Sequence, residues 1–136
     1  MPDDACPRPL VLVVDDTPQI RMLLRLNLEL EGFDVDEAAD GEECLTRLQD
    51  TDRRRPAVVT IDAVMEPVDG WTAVERIRSD PALADIPVVM ITASVQAHHR
   101  ARAIERGVDV FVDKPFEPSS VVDVVRSLLV GGRSRG

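Results

Sequence analysis

Residues 10–32 read LVLVVDDTPQIRMLLRLNLELEG, and this stretch decides the fold. Five apolar residues rich in Val and Leu suit a short strand buried on both faces. Two aspartates, Asp15 and Asp16, end it. Thr17 then reads as an N-cap, Pro18 as a first-turn proline, and Gly32 as a helix stop. Between them Ile20, Leu23, Leu24 and Leu28 share one helical face. The unit is therefore strand, acidic turn, helix.

The same unit recurs along the chain. Apolar runs occur at 10–14, 33–35, 57–61, 86–91 and 108–112, each followed by a helical segment. The second segment carries Cys44, Leu45 and Leu48, and the third carries Trp71, Val74 and Ile77. The fourth carries Ala97, Ala101 and Ile104 and stops at Gly107. The fifth carries Val121, Val124, Val125 and Leu128. Strands alternating with helices predict a parallel sheet covered on both faces. Runs one, three and four are almost continuously apolar and belong in the centre. Run two alternates Phe33-Asp34-Val35-Asp36, and run five places Asp109 between Val108 and Val110, so both read as half-exposed edges. Right-handed crossovers and these burial classes are satisfied by a five-stranded doubly wound α/β sheet in the order 2-1-3-4-5. Pro87 lacks a ladder donor but stands near the start of run four, where it is tolerated.

Composition removes several classes of function. The chain has 136 residues, 44% of them hydrophobic, enough for one domain with a substantial core and too many for general disorder. Lys and Arg number 16 against 25 Asp and Glu, a net charge of −9. That disfavours direct nucleic-acid contact and an anionic membrane surface as the main partner. Aromatics are only 3%, so no platform for stacking bases exists. No apolar stretch is long enough for membrane insertion as a helix, and the acidic, proline-rich start MPDDACPRP is unlike a signal peptide. Cys6 and Cys44 form neither a disulfide framework nor a zinc spacing. A cytoplasmic location is the expectation. Residues 1–8 and 131–136 read as flexible termini around a domain spanning 9–130.

In an open α/β sheet, ligands bind beyond the carboxyl ends of the strands where strand order reverses. Here that point lies between strands 1 and 3. Strand 1 ends in Asp15-Asp16, strand 3 in Asp62, strand 4 in Thr92, and Lys114 follows strand 5. All five fall at one sheet edge. Crowded carboxylates repel and raise one another's pKa unless cations relieve them. A hard divalent ion such as Mg²⁺, held by Asp16 and Asp62, and the ammonium of Lys114 would do so. Carboxylate, metal, ammonium and the Thr92 hydroxyl are the parts needed to accept a phosphoryl group.

The motifs Val13-Val14-Asp15-Asp16, Asp62 with Met65 and Asp69-Gly70, Ile91-Thr92-Ala93, and Lys114-Pro115-Phe116 occur in order. Asp62 lies 30 residues before Thr92, and Thr92 lies 22 before Lys114. In these motifs and spacings the chain resembles a response regulator receiver domain of the two-component systems, over roughly residues 9–130. The resemblance implies a flavodoxin-like (βα)5 fold and Asp62 as phosphoacceptor. It implies Mg²⁺ coordination, with Mn²⁺ able to take its place, by Asp16, by Asp15 directly or through water, by Asp62, and by the carbonyl of Val64. Thr92 would bond the phosphoryl oxygen. Lys114 would pair with Asp62 before phosphorylation and with the phosphoryl group after it. Lys114–Pro115 is expected to be cis. Phe111 stands at the position of the switch aromatic, although a Phe on an edge strand also reads as ordinary core filler. The implied readout is a change in the surface built from the fourth helical segment, strand 5 and the fifth helical segment. The implied partners are a sensor histidine kinase or histidine phosphotransfer protein, then a downstream protein target. A phosphorylation-dependent dimer is compatible with the resemblance. Such a module catalyses only its own phosphorylation and dephosphorylation and turns over no separate substrate.

The chain departs from the family pattern at Glu66, where Pro is usual, with Pro67 following. Apolar Val64 and nearby Ser94 flank the path of attacking water, and Val64 predicts slow self-dephosphorylation. Other residues carry bland expectations. His98 and His99 read as a solvated helix face, as do Arg100, Arg102 and Arg106, although the three arginines would also favour an acidic partner. Arg53-Arg54-Arg55 reads as a solvated loop, Cys44 as a small core residue, Cys6 as part of the N-terminal arm, and Trp71 as packing. Asp15-Asp16 also fits a simple helix cap. Two other functions fit less well. A haloacid dehalogenase-type phosphatase would need an Asp-x-Asp after strand 1, where Thr17 stands. A phosphorylation-independent module would not need the full acidic set. No residues remain for a helix-turn-helix, so the expected output is protein binding or passing the phosphoryl group to a phosphotransfer protein. Gly131-Gly132 equally fits the start of a linker.

Overall fold

A computed structural model describes residues 8–63, 65, 68–92 and 107–131. Its strands are β1 (Leu10–Val14), β2 (Asp34–Ala38), β3 (Val58–Asp62), β4 (Val88–Thr92) and β5 (Val110–Asp113). Its helices are α1 (Pro18–Leu30), α2 (Gly41–Gln49), α3 (Gly70–Ser79) and α4 (Pro118–Gly131). All strand pairs are parallel and the order is β2-β1-β3-β4-β5. The expected fourth helical segment, with Ala97, Ala101 and Ile104, lies outside the described residues. So do Cys6, Val64, Glu66, Pro67, Ala93, Ser94, His98, His99, Arg100, Arg102 and Arg106.

Alternation along the strands sorts the core into two layers. Leu12, Val14, Val59, Ile61, Val88 and Met90 pack against α2 and α3 with Cys44, Leu48, Val74 and Ile77. Val11, Val13, Val58, Val89 and Ile91 pack against α1 and α4 with Leu24, Leu28, Val121 and Val125. β1, β3 and β4 are buried throughout, as their continuous apolar runs require. Each observed strand begins or ends within a few residues of its apolar run, and β2 runs on to Ala38. Pro87 sits just before β4, and its carbonyl accepts from the Val59 N–H. Gly32 has a positive φ, the left-handed backbone that stops α1, and Gly107, just before β5, has a positive φ as well.

Two expectations are corrected. Leu23 does not share the buried face of α1. It is 41% exposed, because the sheet-facing row is Ile20, Leu24 and Leu28 at intervals of one turn. Asp109 is no marker of an exposed strand. It precedes β5 and its side chain is fully buried, accepting from the Val88 N–H at 2.9 Å and from Arg78 Nη2 at 2.9 Å. β5 is an edge through partner order, not through this acid. Arg53, Arg54 and Arg55 are exposed, as the expected solvated loop requires. They pair with Asp36, Asp34 and Asp85. With buried Arg47 on Asp36, they fasten the 50–57 loop and dress the β2 edge with charge.

Candidate functional site

The carboxyl ends of β1 and β3 bring Asp15 and Asp62 together from distant parts of the sequence. The Asp15 N–H donates to the Ala38 carbonyl, so the strand-end turn is tied to β2. Asp15 Oδ1 accepts the Thr17 N–H at 2.9 Å, and Arg21 Nη1 donates to the Asp15 carbonyl at 2.6 Å. The α1 N-cap is Thr17, with no side-chain cap bond. Asp15 thus braces the start of α1, but its other oxygen points into the site. Arg21 went unnoticed in the sequence. Its signal was a cation one turn after an acidic strand end.

Asp62 is placed by the α3 N-terminus. Asp69 is the N-cap and accepts the Thr72 N–H at 2.8 Å, while the Gly70 N–H donates to the Ala63 carbonyl at 3.0 Å. A Cβ on residue 70 would lie 2.3 Å from the Asp62 carbonyl oxygen. Only glycine lets the helix begin this close to the strand end. Asp69-Gly70 is therefore part of the site's scaffold. Thr92, buried at the end of β4, pairs in register with Asp113, and its carbonyl accepts the Lys114 N–H at 2.9 Å. That bond fixes Lys114 beside the other strand ends. The Lys114–Pro115 peptide is cis.

Lys114 Nζ lies 3.1 Å from Asp62 Oδ2 and 3.5 Å from Asp15 Oδ2. One ammonium thus bridges two carboxylates, both nearly buried. Carboxylate oxygens of Asp15, Asp16 and Asp62 come within 4.8 Å of one another, with Asp16 exposed to solvent. An all-oxygen donor set with one open side suits a hard divalent cation that keeps some of its water. Burial, above all, raises the pKa of Asp15, and the charges of Asp62 and Asp16 add to it. The Thr17 N–H and Lys114 oppose the shift without cancelling it. Crowding raises a carboxyl pKa here as expected, but desolvation is the larger cause. Burial alone would lower the pKa of Lys114, yet its bonds and charge contacts with Asp62 and Asp15 raise it.

The structure thus brings together Asp15, Asp16, Asp62, Thr92 and Lys114 at one edge. Phe111 stands three residues before Lys114 and packs, partly buried, on the α2–α3 side. Trp71 packs against the same core. Cys44 is buried and free, as a small core residue should be. Among the described residues no helix is long and apolar enough to cross a membrane.

A family model for the response regulator receiver domain matches residues 11–126. The chain is 36% identical over 124 residues to the DNA-binding dual master transcriptional regulator RpaA of Synechocystis sp., covering 89% of this chain and 49% of that protein. It is 35% identical over 121 residues to the phosphate regulon transcriptional regulatory protein PhoB of Rhizobium meliloti, covering 89% and 52%. It therefore spans about half the length of these curated relatives. Among solved structures, the Vibrio cholerae chemotaxis protein CheY4 matches with a TM-score of 0.83 at 27% identity, covering 90% of this chain and 100% of that one. The receiver domain of the Francisella response regulator 1452 matches with 0.83 at 27%, covering 91% and 98%.

Proposed function

Because the chain belongs to the response regulator receiver domain family, we propose that Asp62 accepts a phosphoryl group and that this phosphorylation switches the chain between two signalling states. The observation that carries the reading is the Lys114 ammonium, bridging Asp62 and Asp15 beside a set of three carboxylates.

Asp15, Asp16 and Asp62 would hold the divalent ion, Mg²⁺ in the cell, with the Val64 carbonyl as a further donor. When bound, the ion neutralises charge on the phosphoryl oxygens. The chain's own groups do the rest. An Asp62 carboxylate oxygen forms the new bond to phosphorus. The bond from phosphorus to the donor's imidazole nitrogen breaks, and its electron pair stays on that nitrogen. Lys114 already stands against Asp62 and can follow the charge to a phosphoryl oxygen. Thr92 offers a hydroxyl to another. These groups act by position and charge, which is most of what phosphoryl transfer needs. The donor is a histidine kinase or a phosphotransfer protein. Drawing Thr92 and Lys114 toward the phosphoryl group pulls on β4 and β5, where a downstream protein would read the change. The chain then turns over no substrate other than its own acyl phosphate.

Intact-mass spectrometry after incubation with Mg²⁺ and acetyl phosphate tests this reading. One phosphoryl group should add to the wild type, but not after chelation and not in Asp62→Asn. A folded wild type that gains nothing would favour a phosphorylation-independent interaction module.

A further inference from the structure

Asp15 and Asp16 share one peptide, and that peptide is held from outside the acidic site. The Asp15 N–H donates to the Ala38 carbonyl at the end of β2, and Asp15 Oδ1 accepts the Thr17 N–H. The Asp15 carbonyl, which belongs to the peptide leading into Asp16, accepts from Arg21 Nη1 at 2.6 Å. Arg21 stands in the first turn of α1, and its side chain is mostly buried. The same guanidinium donates through Nε to Glu37 Oε1 at 3.0 Å, on β2. Glu37 is held in turn by Arg25, which also pairs with Glu29. The charges of Arg21 and Arg25 are thus balanced by Glu37 and Glu29, so the cluster adds little net repulsion against a bound cation. What Arg21 contributes is a rigid planar fork that ties the end of β1 to the end of β2.

The fork matters because the acids it serves repel one another. Lys114 relieves Asp62 and Asp15. Asp16 is exposed, and among the described residues its side chain meets only the Thr17 hydroxyl, at 3.4 Å. Without an outside hold the turn can relax and carry the Asp16 carboxylate away from Asp62. We propose that Arg21 is a positioning residue of the metal site: anchored on Glu37, its guanidinium fixes the Asp15–Asp16 peptide so that both carboxylates face one ion. The proposal rests on Asp15, Asp16 and Asp62 holding that ion. Groups that orient metal ligands are typically worth about 10- to 100-fold in metal affinity. Arg21 acts on the backbone between two ligands, so the lower end of that range applies.

The test titrates Mn²⁺ alone, with no phosphoryl donor, and follows the free ion by electron paramagnetic resonance. The wild type should bind the ion, and Asp16→Asn should lose most of that binding. Arg21→Met keeps the apolar stem but removes both bonds, and should weaken Mn²⁺ binding roughly tenfold. Arg25→Met is the control. It loses its bonds to Glu37, Glu29 and the Val35 carbonyl but has none to Asp15 or Asp16, so its affinity should stay within about twofold of the wild type. Thermal unfolding of the metal-free proteins shows whether both variants fold. A merely structural role for Arg21 would lower Tm in both variants and leave the Mn²⁺ affinity alone. Unchanged affinity in folded Arg21→Met, or an equal loss in Arg25→Met, would overturn the proposal. If Arg21→Met does not fold, Arg21→Lys keeps the charge without the fork and should still weaken binding about threefold; unchanged affinity there overturns the proposal equally. A wild type that binds no Mn²⁺, or binding that survives in Asp16→Asn, would instead overturn the reading of the acidic set, and this inference with it.

Discussion

Asp109→Ala should be among the most destabilising single changes in this chain, though it lies at the sheet end away from the acidic site. The Asp109 carboxylate has no solvent exposure, and Arg78 beside it is mostly buried. Arg78 uses its guanidinium fully. Nε and Nη2 donate to the Gly107 carbonyl, Nη1 to those of Ala84 and Ile86, and Nη2 also to Asp109 Oδ2. The same oxygen accepts the Val88 N–H, where the β4–β5 ladder begins. Alanine removes a charge-assisted bond, about 1.5–3 kcal/mol, and leaves a buried N–H without its acceptor, about 1–3 kcal/mol. Together these give roughly 3–5 kcal/mol, the range for breaking a buried ion pair from one side. At about 3–5 °C per kcal/mol for a chain of this size, Tm should fall by roughly 10–20 °C. Asp109→Asn keeps an acceptor for Val88 and should lose about half as much. Thermal and urea unfolding followed by circular dichroism measures both. A loss below about 1 kcal/mol in Asp109→Ala, or equal losses in the two variants, would refute the reasoning.

Other expectations follow from single side chains. Thr60 Oγ1 is buried in the central strand with no hydrogen-bond partner among the described residues, so Thr60→Val should stabilise by about 1 kcal/mol in the same unfolding assay; a net loss would mean that the hydroxyl is satisfied. Burial first, with the charge of Asp40 adding to it, pushes the Cys44 thiol up to about 12. Iodoacetamide at about pH 8 should therefore spare Cys44 in the native protein and modify it in denaturant, by peptide mapping. Burial alone would raise the pKa of Asp36, but the Arg47 bond, the Glu37 N–H and the charges of Arg47 and Arg53 hold it below the usual aspartate range. The stability it adds is present above the unfolded-state pKa and is lost as pH falls below about 4. Between about pH 5 and 3 the wild type should lose more stability than Asp36→Asn, and parallel pH profiles would contradict the assignment.

Much of the fold was legible because burial leaves a plain trace in composition. Strands covered on both faces must be apolar throughout, and β1, β3 and β4 are. The site was legible for a related reason: its groups stand where apolar runs stop, and strand order brings those ends together. Buried ion pairs escaped because an acid in a sequence looks the same whether solvated or paired. Asp109 read as a surface residue until Arg78, 31 positions earlier, was seen beneath it. Arg47 was invisible for the same reason. Leu23 was misplaced because its phase on the helix puts it at the border of the buried stripe, where one residue of rotation decides exposure. The contact between the Trp71 and Phe111 rings spans 40 residues, and no local pattern announces it.

The central claim is that Asp62, and no neighbouring acid, takes the phosphoryl group. The wild-type protein is incubated with Mg²⁺ and acetyl phosphate, reduced with borohydride, and mapped by peptide mass spectrometry. Reduction converts an aspartyl phosphate to homoserine and leaves free carboxylates alone. Homoserine at position 62, absent when the metal is chelated, is the predicted result. Homoserine at position 15 or 16, or at no position in a folded sample, would contradict it.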